Sequence, residues 1–398
     1  MEGKIAIFIF LNVFVIVLTK TLVQVAMLSR HNIRAPLIYK LGHFSPNSWP
    51  VWSYKPGYLT AKGAVLEEYM GEYLRDWLKK EKLFDESCPA ENEIHIYANT
   101  KHRTRESAKA FTRGAFRNCN ITVYVINSDD MDPVFNPIIH NGSMDLKNEI
   151  IKEMQYKLDA LQLRDAYLEL ENILDLNTSH ICNHKNVCSF ANAKDEIFYE
   201  TGQEPNVIGP LDHGNSIVDS FIMSYYEGMP LNEVAWGKIK TPDQWKSLAK
   251  ITKGNQNVRF NSTILAREVA RPLIEYIASL IFKENAPKFS LLHGHDSNMN
   301  TVMAAIGFKG FVLPEQYEIT PLGGKLVFQK WHDDDYNRDL LKVDYVYQSI
   351  NQLREGTKLS EENPPQWVQL EIKDCPIDED GFCLWENFVK LLNQVITI

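Results

Sequence analysis

Apolar positions along the chain follow two periods. Leu22 to Leu28 is a short, nearly continuous apolar run, as expected of a strand buried on both faces. From Leu59 the period lengthens: Leu66, Tyr69, Met70, Tyr73, Leu74, Trp77 and Leu78 recur every three or four residues. That spacing predicts a helix packed on a sheet, with Thr60 as its N-cap and Glu67, Arg75 and Lys79 on its other, charged face. Ile94 to Ala98 alternates like a strand, Asn99 to Arg103 follows as its exit turn, and Arg105 to Phe116 reads as the next helix. A strand–helix–strand–helix order predicts a parallel sheet with helices on both faces.

The middle of the chain changes character. Asp145 to Asn177 is helical and rich in Leu, Glu and Lys, Ser216 to Glu227 and Asn261 to Lys283 are further helices, and no strand is expected between about Pro133 and Pro287. The sheet resumes at Phe289 to His293 and continues through Lys325 to Trp331 and Lys342 to Tyr347. The pattern predicts an α/β unit over 22–132 and 288–398, with a mainly helical cap, 133–287, over one end of the sheet.

Composition sharpens this picture. At 398 residues, 44% hydrophobic and 23% charged, the chain can bury a large core. Its formal net charge of −9 argues against nucleic acid as a partner, so an anion site would have to be built from a few placed arginines. Lys4 precedes an apolar stretch through Leu18 that is short for a membrane span and matches a signal peptide over 1–21; an uncleaved anchor stays open. The six cysteines agree with export: Cys182 with Cys188 and Cys375 with Cys383 are close pairs, leaving Cys88 with Cys119. Neither close pair has zinc-type C-x-x-C spacing.

Chemistry concentrates at strand ends. Ser29-Arg30-His31-Asn32-Ile33-Arg34-Ala35-Pro36 follows the first strand and sets a histidine between two arginines. Guanidinium groups there would hold an anion by paired hydrogen bonds, and a neutral imidazole could attack it. A second strand leads to Arg103 and a third ends at Gly294-His295-Asp296. Ligands of open parallel sheets bind beyond the carboxyl ends of the strands, where these groups would meet. A metal held by His293, His295 and Asp296 is the competing possibility, and it lacks companion ligands. No metal and no cofactor are expected.

Arg-His-x-x-Arg-x-Pro with a late His-Asp pair resembles the histidine acid phosphatase family, and within it the bacterial periplasmic members acting on glucose 1-phosphate. Asn32, where most of the family has glycine, is one such point of likeness. Others are Gln203-Glu204-Pro205, Tyr225-Tyr226-Glu227-Gly228 and Pro321-Leu322-Gly323-Gly324-Lys325. The resemblance implies a three-layer α/β/α, phosphoglycerate-mutase-like fold with a mostly parallel sheet. It makes His31 the nucleophile, Arg30, Arg34, Arg103 and His295 the phosphate ligands, and Asp296 the proton donor. Asn32 and Glu204 become pocket residues. Expected partners are small phosphate monoesters, glucose 1-phosphate and inositol phosphates among them. Neither nucleic acid nor stable membrane association after signal removal is expected; a homodimer is left open. The location would be the periplasm, or outside the cell in a eukaryotic host.

Overall fold

A computed structural model describes residues 20–37 and 41–397. The expected signal segment lies almost wholly outside the described residues. In chain order the regular elements begin with β1 (Lys20–Arg30), α1 (Ala61–Lys80), β2 (Ile94–Ala98), α2 (His102–Ala115) and β3 (Val123–Tyr124). Next come α3 (Met144–Asp159), α4 (Arg164–Leu174), α5 (His180–Lys185), β4 (Glu196–Phe198), β5 (Asn206–Ile208), α6 (Pro210–Glu227), α7 (Pro242–Phe260) and α8 (Thr263–Ile281). The chain closes with β6 (Phe289–Gly294), α9 (Asp296–Ile306), β7 (Lys325–Asp333), β8 (Arg338–Tyr347), α10 (Ile350–Glu355), β9 (Gln366–Gln369), β10 (Cys383–Leu384) and α11 (Trp385–Ile396).

One 8-stranded sheet runs in the order β10-β8-β7-β1-β6-β2-β3, with β9 also paired to β8. Strands β1, β6, β2 and β3 are mutually parallel. The later strands extend this parallel centre by antiparallel pairing: β7 runs against β1, and a tight hairpin then sets β8 against β7. Alternate residues feed opposite faces. Val25, Met27, Leu291 and Val327 pack under α1 and α2, whereas Ala26, Leu28, Leu292 and Phe328 pack under α8, α9 and α11. The sheet is therefore the middle of three layers, as its two-sided apolar strands require. A separate apolar cluster joins α3, α4, α6 and α7 and reaches Ile33, Leu66 and Leu322 at the end of the sheet. Cys88–Cys119, Cys182–Cys188 and Cys375–Cys383 form disulfides. Among the described residues no helix is long and apolar enough to cross a membrane.

Several local expectations change. The region between Pro133 and Pro287 holds the β4–β5 hairpin, whose three-residue strands are too short to show an alternating pattern. The helical run from Asp145 breaks into α3 and α4, and α7, whose polar stretch Asn255 to Asn257 blurs its periodicity, was not anticipated. Helix α2 begins at His102, so Arg103 lies on its first turn and not in an exit turn; Thr104 Oγ1 donates to the Asn99 and Lys101 carbonyls there.

Glu67 and Arg75 of α1 are buried instead of solvated. Arg75 donates to the carbonyls of Asp85 and Ser87 and lies over the rings of Phe84 and Phe116. Glu67 is fully buried, with Oε1 at 2.5 Å from Lys325 Nζ and 3.4 Å from His293 Nε2, and Oε2 accepting from Asn32 Nδ2 at 3.0 Å. Burial opposes its charge, but Lys325, His293 and Asn32 more than offset this and hold the carboxyl down at about 2. Lys325 Nζ also donates to Ser29 Oγ and the Gly323 carbonyl. One carboxylate thus links β1, α1, β6 and β7.

Removing one partner strands the other charge in the core, so Glu67→Leu should cost about 3–5 kcal/mol in urea unfolding. Replacing both, with Glu67→Leu and Lys325→Met, should be close to neutral. The native carboxyl sits near 2 against an ordinary 4.5, so its contribution is complete above that ordinary value and fades as pH falls toward 2. The stability gap between wild type and the paired variant should therefore change over that interval.

Candidate active site

Register brings three strand ends together. Arg30 pairs with Gly294 on β6, and Ala98 on β2 pairs with His293. The next residues, His31, His295 and Asn99, therefore leave the sheet side by side at the carboxyl edge. Gly63, in the first turn of α1, packs against the Ile33 carbonyl so closely that a Cβ would lie 2.4 Å from that oxygen. The turn after β1 is thereby pressed against the helix.

His31 is buried, and its ring lies 5.5 Å from that of His295, centroid to centroid. Its Nδ1 is 2.8 Å from the Asn32 carbonyl oxygen. A carbonyl only accepts, so Nδ1 carries the proton and Nε2 keeps its lone pair. Burial first, then the charges of Arg103 and Arg34, hold the ring well below the usual histidine range and therefore neutral. His295 is set in the same way by Asn99. Asn99 Oδ1 accepts the N–H groups of Thr100 and Asp132, so its Nδ2 faces His295 Nε2 at 2.9 Å as a donor. His295 Nε2 must accept, and Nδ1 carries hydrogen beside Arg103 Nη2, 3.3 Å away.

Three arginines surround this pair. Arg30 Nη1 donates to Glu318 Oε1 and the Thr320 carbonyl, each at 2.6 Å, and Arg34 Nη2 lies 3.1 Å from Asp219 Oδ2. Burial and the neighbouring Arg34 charge push Arg103 down to about 9, still cationic in acid. The Nε–H groups of Arg30, Arg34 and Arg103 are buried with no partner among the described residues. Donors left unpaired in a cationic cavity are available to the oxygens of an anion.

Asp296, the first residue of α9, has its carboxylate on the same space. Oδ2 lies 3.5 Å from Arg30 Nη2 and accepts from Gln256 Nε2 at 3.3 Å, while Oδ1 accepts the Ser297 N–H. Gln256 Oε1 is itself taken by Asn300 Nδ2, which fixes which end of the amide faces Asp296. Burial raises the carboxyl, but Arg30 and Arg34 lower it further, so it rests below its ordinary range. Beyond the arginines, Asn215, Asp219, Thr252, Gln256 and Glu318 line an adjoining cleft.

The site residues expected from sequence thus divide. His31, Arg30, Arg34, Arg103, His295 and Asp296 converge. Glu204 sits nearby, paired to Arg259 at 2.9 Å and raised by burial despite that partner. Asn32 is different: it is fully buried, and its amide turns from the cluster to Glu67, so it lies off the pocket wall. His293, the ligand a metal site would recruit, also faces Glu67. Asn99, Asp219, Gln256, Glu318 and Glu67 were missed. Asn99 alone carried a signal, standing immediately past a strand end like His31 and His295.

Comparison with known proteins agrees with this geometry. The model of the histidine phosphatase superfamily (branch 2) matches residues 21–167. The chain is 45% identical to a glucose-1-phosphatase of Salmonella typhimurium over 377 residues, 93% of this chain and 91% of that protein. It is 43% identical to a glucose-1-phosphatase of Providencia rettgeri, across 94% of this chain and 91% of the relative. Among solved structures, the phytase from Citrobacter braakii superposes with a TM-score of 0.87 at 26% identity, covering 94% of this chain and 98% of the phytase. With such identity spanning nearly its whole length, the chain belongs to the histidine phosphatase superfamily, branch 2, and is a phosphoric monoester hydrolase.

Proposed function

We propose that the protein is an exported acid phosphatase that hydrolyses glucose 1-phosphate through a phosphohistidine, with some activity on phytate. The observation that carries this is the grouping of three guanidinium groups, each with an unpaired Nε–H, around an imidazole that their charges help to keep neutral. Arg30, Arg34, Arg103 and His295 take the phosphoryl oxygens and neutralise their charge, which is most of what phosphoryl transfer requires. His31 Nε2 attacks phosphorus as the bond to the sugar oxygen breaks, and Asp296 gives that oxygen a proton. The resulting carboxylate then takes a proton from water, whose oxygen attacks the phosphohistidine. Phosphate leaves, and His31 and Asp296 return to their starting states.

A bound phosphoryl group would offset the arginine field that keeps Asp296 ionised, so the donor gains its proton in the complex. The leaving group faces Asp219, Gln256, Glu318 and Thr252, a lining rich in acceptors for sugar hydroxyls, with Lys253 as the one lysine there for a further phosphate. The names of the Salmonella and Providencia relatives favour glucose 1-phosphate, and that of the Citrobacter structure favours phytate as a second substrate. Three disulfides behind an apolar amino-terminal stretch favour export to an oxidising compartment. The α/β unit with its helical cap would then work as one enzyme outside the cytoplasm.

Phosphate release should be measured from glucose 1-phosphate, glucose 6-phosphate and phytate at acidic pH. Glucose 1-phosphate should turn over fastest, His31→Ala should abolish release, and EDTA should change nothing. Preference for phytate would move the substrate assignment, and activity retained by His31→Ala would sink the mechanism.

His31 stays neutral well into acid, and Asp296 must be protonated in the complex, so activity should peak in acid and fall as pH rises. Asp296→Asn should lower kcat by about 10²- to 10⁴-fold and remove that alkaline fall. An alkaline optimum in wild type would exclude Asp296 as donor.

A further inference from the structure

The residue that orients His31 is itself held in place. Asn32 takes the His31 Nδ1 proton on its backbone carbonyl at 2.8 Å, and its other polar groups are all occupied. Its N–H donates to Ser107 Oγ at 3.1 Å, Oδ1 accepts the Ile33 N–H at 2.9 Å, and Nδ2 donates to Glu67 Oε2 at 3.0 Å. The contacts close a ring beneath the histidine. Glu67 binds Lys325, Lys325 Nζ donates to the Gly323 carbonyl at 3.0 Å, and the Gly323 N–H donates to the His31 carbonyl at 3.1 Å. Gly323 has φ of 68°, and a Cβ there would lie 2.4 Å from Asn32 Nδ2, so the turn leaves room for the amide only because it is glycine.

We propose that Asn32, through its bond to the buried Glu67–Lys325 pair, is a positioning residue that holds His31 in the tautomer and orientation needed for attack. Neither Asn32 nor Glu67 reaches solvent, so neither can touch substrate. A buried ion pair is a poor source of stability compared with apolar packing of the same volume. What it supplies here is direction: a fixed acceptor for one amide hydrogen, and hence a fixed plane for the peptide whose carbonyl takes the imidazole proton. The assignment rests on the phosphohistidine mechanism proposed above.

Three variants test it: Asn32→Gly, the pair Glu67→Leu with Lys325→Met, and the pair Glu67→Gln with Lys325→Met. For each, kcat and KM on glucose 1-phosphate are measured in acid, thermal melting reports folding, and nitrogen-15 NMR reports the His31 tautomer. The first two should lose about tenfold in kcat, with KM little changed and His31 in mixed tautomers. The E67Q/K325M pair keeps an acceptor for the Asn32 amide and should recover most of the rate. Unchanged kcat, a loss in KM alone, a single unaltered tautomer, or no recovery in E67Q/K325M overturns the assignment. Should the paired variants fail to fold, Asn32→Gly decides by itself, since it leaves the ion pair intact. Wild-type protein that releases no phosphate from any substrate overturns the phosphatase mechanism; wild-type turnover with unaltered variants overturns only the role of Asn32.

Discussion

Everything at the carboxyl edge of the sheet depends on one buried carboxylate. Glu67 belongs to a helix, but its partners lie on the sixth and seventh strands and on the turn that follows the first. A charge so deeply buried is tolerable only when each lone pair finds a donor, and the donors come from segments far apart in sequence. The pair therefore acts as a registration device: only one arrangement of helix and strands satisfies it. The turn carrying Arg30, His31 and Arg34 is anchored by that arrangement.

Just above this satisfied charge lies an unsatisfied one. Three guanidinium groups crowd two imidazoles, and among the described residues only Arg30 and Arg34 of the three form close ion pairs with carboxylates. Such a cluster repels itself and leaves donors unpaired, so it is held together by the rest of the fold and relieved by its ligand. Placing the charge-paired network of Glu67 and Lys325 under the cationic, underbonded one separates the two tasks. The lower layer holds geometry, and the upper layer keeps unspent electrostatic energy directed at an anion.

Legibility in the sequence followed the same division. Strands buried on both faces, the N-cap at Thr60 and the paired motifs around His31 and His295 are local patterns, and they pointed to the right edge of the sheet. Glu67 was assigned to solvent because a helical wheel knows spacing but not partners; its burial is decided by Lys325, 258 residues away. The family resemblance makes Asn32 a pocket residue, yet its amide turns the other way for the same reason. Gln256 and Glu318 are single polar residues in unremarkable contexts, and only tertiary structure turns them toward Asp296 and Arg30. The short β4–β5 hairpin escaped because three residues are too few to show a period.

The central position of β1 also governs when the molecule can form. This amino-terminal strand pairs on one side with β6, Val25 facing Phe289, and on the other with β7, Ala26 facing Phe328. Both neighbours lie beyond the entire helical region, so the middle of the sheet stays open until most of the chain has been synthesised. Closing loops of that length makes folding slow, because chain entropy is lost long before the contacts that reward it are made. A nascent chain therefore holds its first strand unpaired, with His31 and its flanking Arg30 and Arg34 already made but without the imidazole of His295 and the carboxylate of Asp296. Assembly of the site is confined to the end of folding by topology alone.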